Sequence, residues 1–157
     1  MRKGRRQLWL AVWLITIGPT ALFAATAPAD EGCPPPESAE GIACRESAVR
    51  ALLQQWVVAW ANADVETYLD LYDDTRADGS DRFRASRDEL RRQRLLAQKD
   101  VVITLELESM AIDDDGAVDV IFVQRYRSAS VSSELRKQLF LGWRNGSLKI
   151  RREVVLD

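Results

Sequence analysis

The chemistry open to this chain is bounded by an absence: it contains no histidine. Ser-His and Cys-His nucleophile pairs and histidine-ligated metals are therefore excluded. Acid or base work would fall to Asp70, Asp73, Asp74 or Glu153, aided by a tyrosine or by Lys137. No glycine-rich phosphate loop is present, and the aspartates read more simply as solvated helix ends. Asp113-Asp114-Asp115-Gly116 is a turn rather than a calcium loop, because Phe122 stands where the bidentate glutamate should be. No catalytic residue, metal or cofactor is assigned. In an oxidising compartment Cys33 and Cys44 would form a disulfide in preference to a reactive pair, closing a short loop for a gain of about 3 kcal/mol.

The elements that must position these groups follow from hydrophobic spacing. From Ser47 the pattern is helical, and Val49, Leu52, Leu53, Trp56, Val57 and Trp60 form one stripe. Its burial would contribute on the order of 10 kcal/mol gross, so this is the main core helix. Asp64 can cap a second short helix carrying Val65, Tyr68, Leu69 and Tyr72. Ser86-Arg87-Asp88-Glu89 spells a capping box for a third helix running to about Lys99. After Asp100 the period drops to two, and strands are predicted at 101–109, 117–128, 134–144 and 148–156. Asn145-Gly146 is a two-residue hairpin signal; the overlapping glycosylation triplet Asn145-Gly146-Ser147 is secondary to it. The expectation is an α+β fold, with three N-terminal helices packed in a curved, mostly antiparallel four-stranded sheet.

Closing the last hairpin at Arg144 and Ser147 sets Trp143 opposite Leu148, Leu141 opposite Ile150 and Lys137 opposite Val154. A turn at 129–132 sets Tyr126 opposite Leu135, Gln124 opposite Lys137 and Phe122 opposite Leu139. On the resulting inner face Gln124, Tyr126 and Lys137 interrupt an apolar set. They mark either a ligand pocket, with Tyr68 and Tyr72 as the opposite wall, or a polar rim from which the lysine reaches solvent while the tyrosines are plain core. On the outer face Ile121 is set opposite Phe140, with Val123 and Val155 nearby and Arg125, Arg127, Arg136, Arg144 and Arg151 around them. Such a stripe fits a homodimer face or ordinary scattered exposure.

The N-terminus reads as a secretory signal peptide over residues 1–27. Arg2, Lys3, Arg5 and Arg6 precede an apolar run from Leu8 to Ile17 and a small-residue exit, with cleavage within 24–29. That run is about half of what spans a bilayer, so no permanent membrane span is expected after cleavage. The whole chain carries a net charge of −2. Without the four leader cations, 18 basic residues face 24 acidic ones, about −6, which disfavours nucleic acid as a partner. Residues 28–45, rich in proline, glycine and acidic residues, read as a tether, and residues 46–157 as one domain in a periplasmic or secreted protein.

The Trp56 and Trp60 helix, Asp64-Val65 leading to Tyr68-Leu69 and Tyr72, Gln124-Arg125-Tyr126-Arg127-Ser128, Arg136-Lys137-Gln138-Leu139 and Lys149-Ile150-Arg151-Arg152-Glu153 together resemble the nuclear transport factor 2-like superfamily. Within it the chain is most similar to the C-terminal accessory domain of bacterial L,D-transpeptidases. The resemblance implies a cone-shaped domain with a cavity, often dimeric through its sheet. Members include isomerases and dehydratases besides domains without chemistry. Two departures, around 131–133 and at Leu148 in place of the usual tryptophan, set this chain apart, and the transpeptidase catalytic module is absent. The expected function is an exported binding or scaffolding module of the cell envelope, leaning away from catalysis, with a cell-envelope protein or a small apolar ligand as partner. The alternatives are a histidine-free isomerase or dehydratase of a small hydrophobic molecule, which requires a carboxylate near Tyr126 or Lys137, and a purely structural homodimer.

Overall fold

The computed structural model describes residues 33–73 and 84–156, together with the backbone of 6–8 and 14–15. The expected cleavage window and Asp74 lie outside the described residues. Three helices precede a curled antiparallel sheet. The short strands β1 (Arg6–Leu8) and β2 (Leu14–Ile15) pair with the edge of β3 (Val102–Ile112). The long strands then follow in the order β3, β4 (Val118–Arg127), β5 (Ser132–Arg144), β6 (Ser147–Leu156). The fold is α+β, with three helices against a curled antiparallel sheet of four long strands, as the periodicity predicts.

Helix α1 spans Ala39–Ala61, starting eight residues before the predicted Ser47. Its true cap is Ser38, whose hydroxyl accepts from the Gly41 amide at 2.9 Å. Much of the stretch expected to be tether is thus the first two turns of the core helix. Gly41 serves close approach here: a Cβ at this position would overlap the Pro35 carbonyl. Every member of the predicted stripe, Val49, Leu52, Leu53, Trp56, Val57 and Trp60, is buried. Trp56 meets Phe122 of β4 with ring centroids 6.1 Å apart.

Helix α2 (Val65–Asp70) is capped by Asp64, which accepts from the Thr67 amide; the Thr67 hydroxyl first, and then this amide, hold the Asp64 carboxyl below its usual pKa. Helix α3 (Arg84–Leu96) begins two residues before Ser86, so the predicted capping box lies inside its first turn and does not cap it. Glu89 instead accepts from the Gln93 side chain one turn on. Between these helices, Leu71 and Asp73 exchange backbone hydrogen bonds with Ile150, adding a parallel bridge to the edge of β6.

The final hairpin turns at Asn145 and Gly146, both at positive φ, and sets Trp143 opposite Leu148 and Leu141 opposite Ile150 as predicted. The β4–β5 register differs from expectation by two residues. Ser128, whose hydroxyl accepts from the Val131 amide at 3.2 Å, closes the turn one residue early. Tyr126 therefore lies opposite Ser133, Gln124 opposite Leu135 and Phe122 opposite Lys137. A shift of two preserves faces, so Phe122 and Leu139 both point to the core and are fully buried.

A bulge in β6 has larger effects. Phe140 pairs with Arg152 but Leu141 with Ile150, leaving Arg151 as an extra residue. Beyond it the alternation inverts. Lys137 lies opposite Val155, not Val154, and Glu153 moves to the inner face opposite Leu139. Val155, expected on the outer face, belongs to the inner one, at its exposed end.

Candidate functional site

The inner face carries a connected polar cluster built from α1, α2, β5 and β6. Lys137 is nearly buried, and its ammonium donates to Glu153 Oε1 at 2.6 Å. The other carboxylate oxygen accepts from the Tyr72 hydroxyl at 3.1 Å. That hydroxyl accepts in turn from Trp56 Nε1 at 2.9 Å and lies 3.0 Å from the Tyr68 hydroxyl. Tyr68 on α2 and Tyr72, just past the helix end and bridged to Ile150, thus face a carboxylate delivered by the bulge. Lys137 Nζ also lies 5.8 Å and 5.6 Å from the ring centroids of Trp56 and Trp60, where the ring faces attract the cation. Arg91 of α3 stacks 3.7 Å above the Tyr72 ring and closes the cluster from outside.

Burial dominates the electrostatics. It pushes the Tyr68 phenol up to about 12, with the Glu153 charge adding to the effect. Tyr72 is raised well above its ordinary value, first by burial and then by Tyr68 and Glu153. Both phenols are therefore neutral donors near neutral pH and unsuited to act as bases.

The predicted pocket residues Tyr68, Tyr72 and Lys137 are gathered into this one network. Gln124 and Tyr126 occupy the same face, but the Tyr126 hydroxyl turns to Gln98, and its ring packs 5.8 Å from Trp60. The buried Gln124 Oε1 and Trp60 Nε1 have no hydrogen-bond partner among the described residues. Glu153 appears in the sequence only as one of four scattered carboxylates; regular alternation from the Asn145-Gly146 turn would send it outward. An arginine pair before it, interrupting the apolar alternation, is the signal of the bulge.

The other carboxylates are elsewhere. Asp73 pairs with Arg144, and Asp70 accepts from Lys149 at 2.8 Å. They flank a groove of about 360 Å³ between the end of α2 and the last hairpin turn. Neither joins the Lys137 cluster.

On the outer face Ile121 lies opposite Gln138, and Phe140 opposite Asp119, so these two apolar residues are not cross-strand partners as expected. Arg125 bridges Glu106 and Glu134 at 2.9 Å and 2.7 Å, and Arg136 meets Glu108 at 2.7 Å. Its two carboxylate partners raise the Arg125 pKa. A groove of about 440 Å³ opens between Val102, Thr104, Arg127 and Ser132 at the end of β4.

At the start of α1, Cys33 and Cys44 form a disulfide, with Cα atoms 5.6 Å apart. Beside it the buried Arg45 donates to the carbonyls of Pro34 and Gly41 at 2.6 Å and 3.0 Å. Burial lowers the Arg45 pKa and Glu37 partly offsets this. Among the described residues no helix is long and apolar enough to cross a membrane, and no group of three or more acidic or cysteine side chains could hold a metal ion.

The family model described as the Cds6 C-terminal NTF2-like domain matches residues 48–154. Among solved structures the chain is similar to one described as the structure of Bdellovibrio bacteriovorus Bd1075, with 21% identity and a TM-score of 0.60. The likeness covers 76% of this chain and 42% of that one, and at this identity it is a likeness of fold. No curated protein matches the chain.

Proposed function

Since this chain belongs to the Cds6 C-terminal NTF2-like domain family, we propose that it is an exported, non-catalytic binding or scaffolding module of the bacterial cell envelope. One observation carries this reading: the inner lysine and carboxylate are already paired with each other, and the carboxylate's second oxygen is taken by Tyr72. A general base needs an oxygen turned to its substrate, and both Glu153 oxygens are turned to its own protein, to Lys137 and to Tyr72. The module would work through its outer surfaces. The basic, apolar and small-residue order of residues 1–27 supports export, and the Cys33–Cys44 disulfide is compatible with an oxidising compartment. The sequence resemblance to a transpeptidase accessory domain supports an envelope role.

The acid/base alternative has its own support. Glu153 stands 2.6 Å from Lys137, which meets the requirement for an inner carboxylate, and the unpartnered Gln124 Oε1 and Trp60 Nε1 could accept a small polar ligand. The two readings separate on titration with a steroid-like aromatic probe, following the indole N–H resonances of Trp56 and Trp60. A module that works through its outer surfaces expects no saturable shift. Saturable shifts, abolished by Gln124→Leu, would move the assignment to an internal ligand site. A structural homodimer through Ile121, Val123 and Phe140 would instead show as dissociation on dilution.

A further inference from the structure

Two adjacent arginines on β6 are held on one side of the sheet by the bulge. In a regular strand Arg151 and Arg152 would point to opposite faces. Here Arg152 lies over the Phe140 ring, its guanidinium carbon 3.8 Å from the centroid. Arg151 lies over Gly142, where a Cβ would overlap its guanidinium, and reaches the Trp143 carbonyl at 3.3 Å. Phe140 and Gly142 alternate with the buried Leu139 and Leu141, so both cations rest on the outer face.

Neither arginine has a carboxylate partner among the described residues, whereas Arg125 and Arg136 on the same face are matched by Glu106, Glu134 and Glu108. Two unneutralised guanidiniums in neighbouring positions repel each other. A guanidinium stacked on a ring keeps its in-plane N–H donors unblocked, and Arg151 commits only one N–H, to the Trp143 carbonyl, so the pair retains donors in a fork that fits a planar or tetrahedral oxyanion.

We propose that Arg151 and Arg152 form a receptor for an oxyanion, a carboxylate or phosphate group carried by the domain's ligand. Phe140 and Gly142 shape the seat. The site is independent of whether the interior is closed.

The test uses the full chain and follows the arginine Nε–Hε resonances while inorganic pyrophosphate or succinate is added at constant ionic strength. Saturable shifts at Arg151 and Arg152 with at least one probe are expected, and the probe that binds tells phosphate from carboxylate. Arg152→Gln should weaken binding roughly tenfold or more. Gly142→Ala is the sharper variant, because it displaces Arg151 without altering charge and should weaken binding similarly. A folded-state spectrum of each variant confirms that the sheet is intact. Saturation by neither probe would overturn the proposal. So would affinity unchanged in both variants, or equal shifts at Arg125 and Arg136, which would report general screening.

Discussion

The Lys137–Glu153 pair should be strongly coupled. Lys137's side chain is 7% exposed and that of Glu153 23%, so the ammonium is the more costly group to strand. Removing one partner of a fully buried pair costs about 3–5 kcal/mol. With Glu153 reached by some solvent, Glu153→Gln should cost about 3 kcal/mol and Lys137→Met about 2 kcal/mol, since Tyr72 still donates to the stranded carboxylate. The double variant Lys137→Met/Glu153→Gln leaves no buried charge and should cost only about 2 kcal/mol, giving a coupling of roughly 3 kcal/mol. Urea unfolding of the four proteins measures it. As a control, Lys149 and Asp70 form a pair whose carboxylate is 80% exposed, for which the coupling should stay below about 1 kcal/mol. Additivity of the inner pair within about 0.5 kcal/mol would mean that the bulge does not deliver Glu153 to a buried lysine.

Tyr72→Phe removes a hydroxyl that serves Trp56, Tyr68 and Glu153, and should cost roughly 2–4 kcal/mol; a loss under about 1 kcal/mol in urea unfolding would show that water replaces it. Tyr68 has a folded-state pKa raised to about 12, so the folded state keeps this proton longer than the unfolded state. Its contribution is fully present below about pH 10 and is lost as pH rises from about 10 to 12, a fall of about 2–3 kcal/mol. Unfolding midpoints across that window should decline more steeply than in Tyr68→Phe, and parallel curves would count against this. Replacing both Cys33 and Cys44 by serine should lower stability by about 3 kcal/mol and loosen the Pro34 carbonyl that holds Arg45; identical melting with and without reductant would contradict it.

Strand faces were legible in the sequence because the rule that produces them is local. Alternation placed Phe122 and Leu139 toward Trp56 even though the β4–β5 turn falls one residue early, since a two-residue slip leaves every side chain on its own face. The Asn145-Gly146 turn was readable from residue types that accept positive φ. The start of α1 was hidden because Pro34, Pro35, Pro36 and Gly41 have the composition of a linker, while the helix depends on a cap and a backbone contact made by those same residues. The bulge was hidden for a deeper reason. A single extra residue leaves hydrophobic periodicity almost unchanged over a short strand, yet it inverts everything after it. That inversion turns Glu153 inward, moves Val155 off the expected dimer stripe and lays Arg151 and Arg152 side by side. The candidate site was therefore legible as a list of inner tyrosines and a lysine, and illegible in the carboxylate that joins them.

Hydrogen exchange at the Trp56 indole tests the closed polar interior most directly. Its N–H donates to Tyr72 at 2.9 Å from a fully buried ring. This proton should exchange only through global unfolding, with an opening free energy equal to that from urea and the same denaturant dependence. Exchange within minutes near neutral pH and insensitive to denaturant would show an interior that opens to solvent and ligands, contradicting a module that works through its outer surfaces.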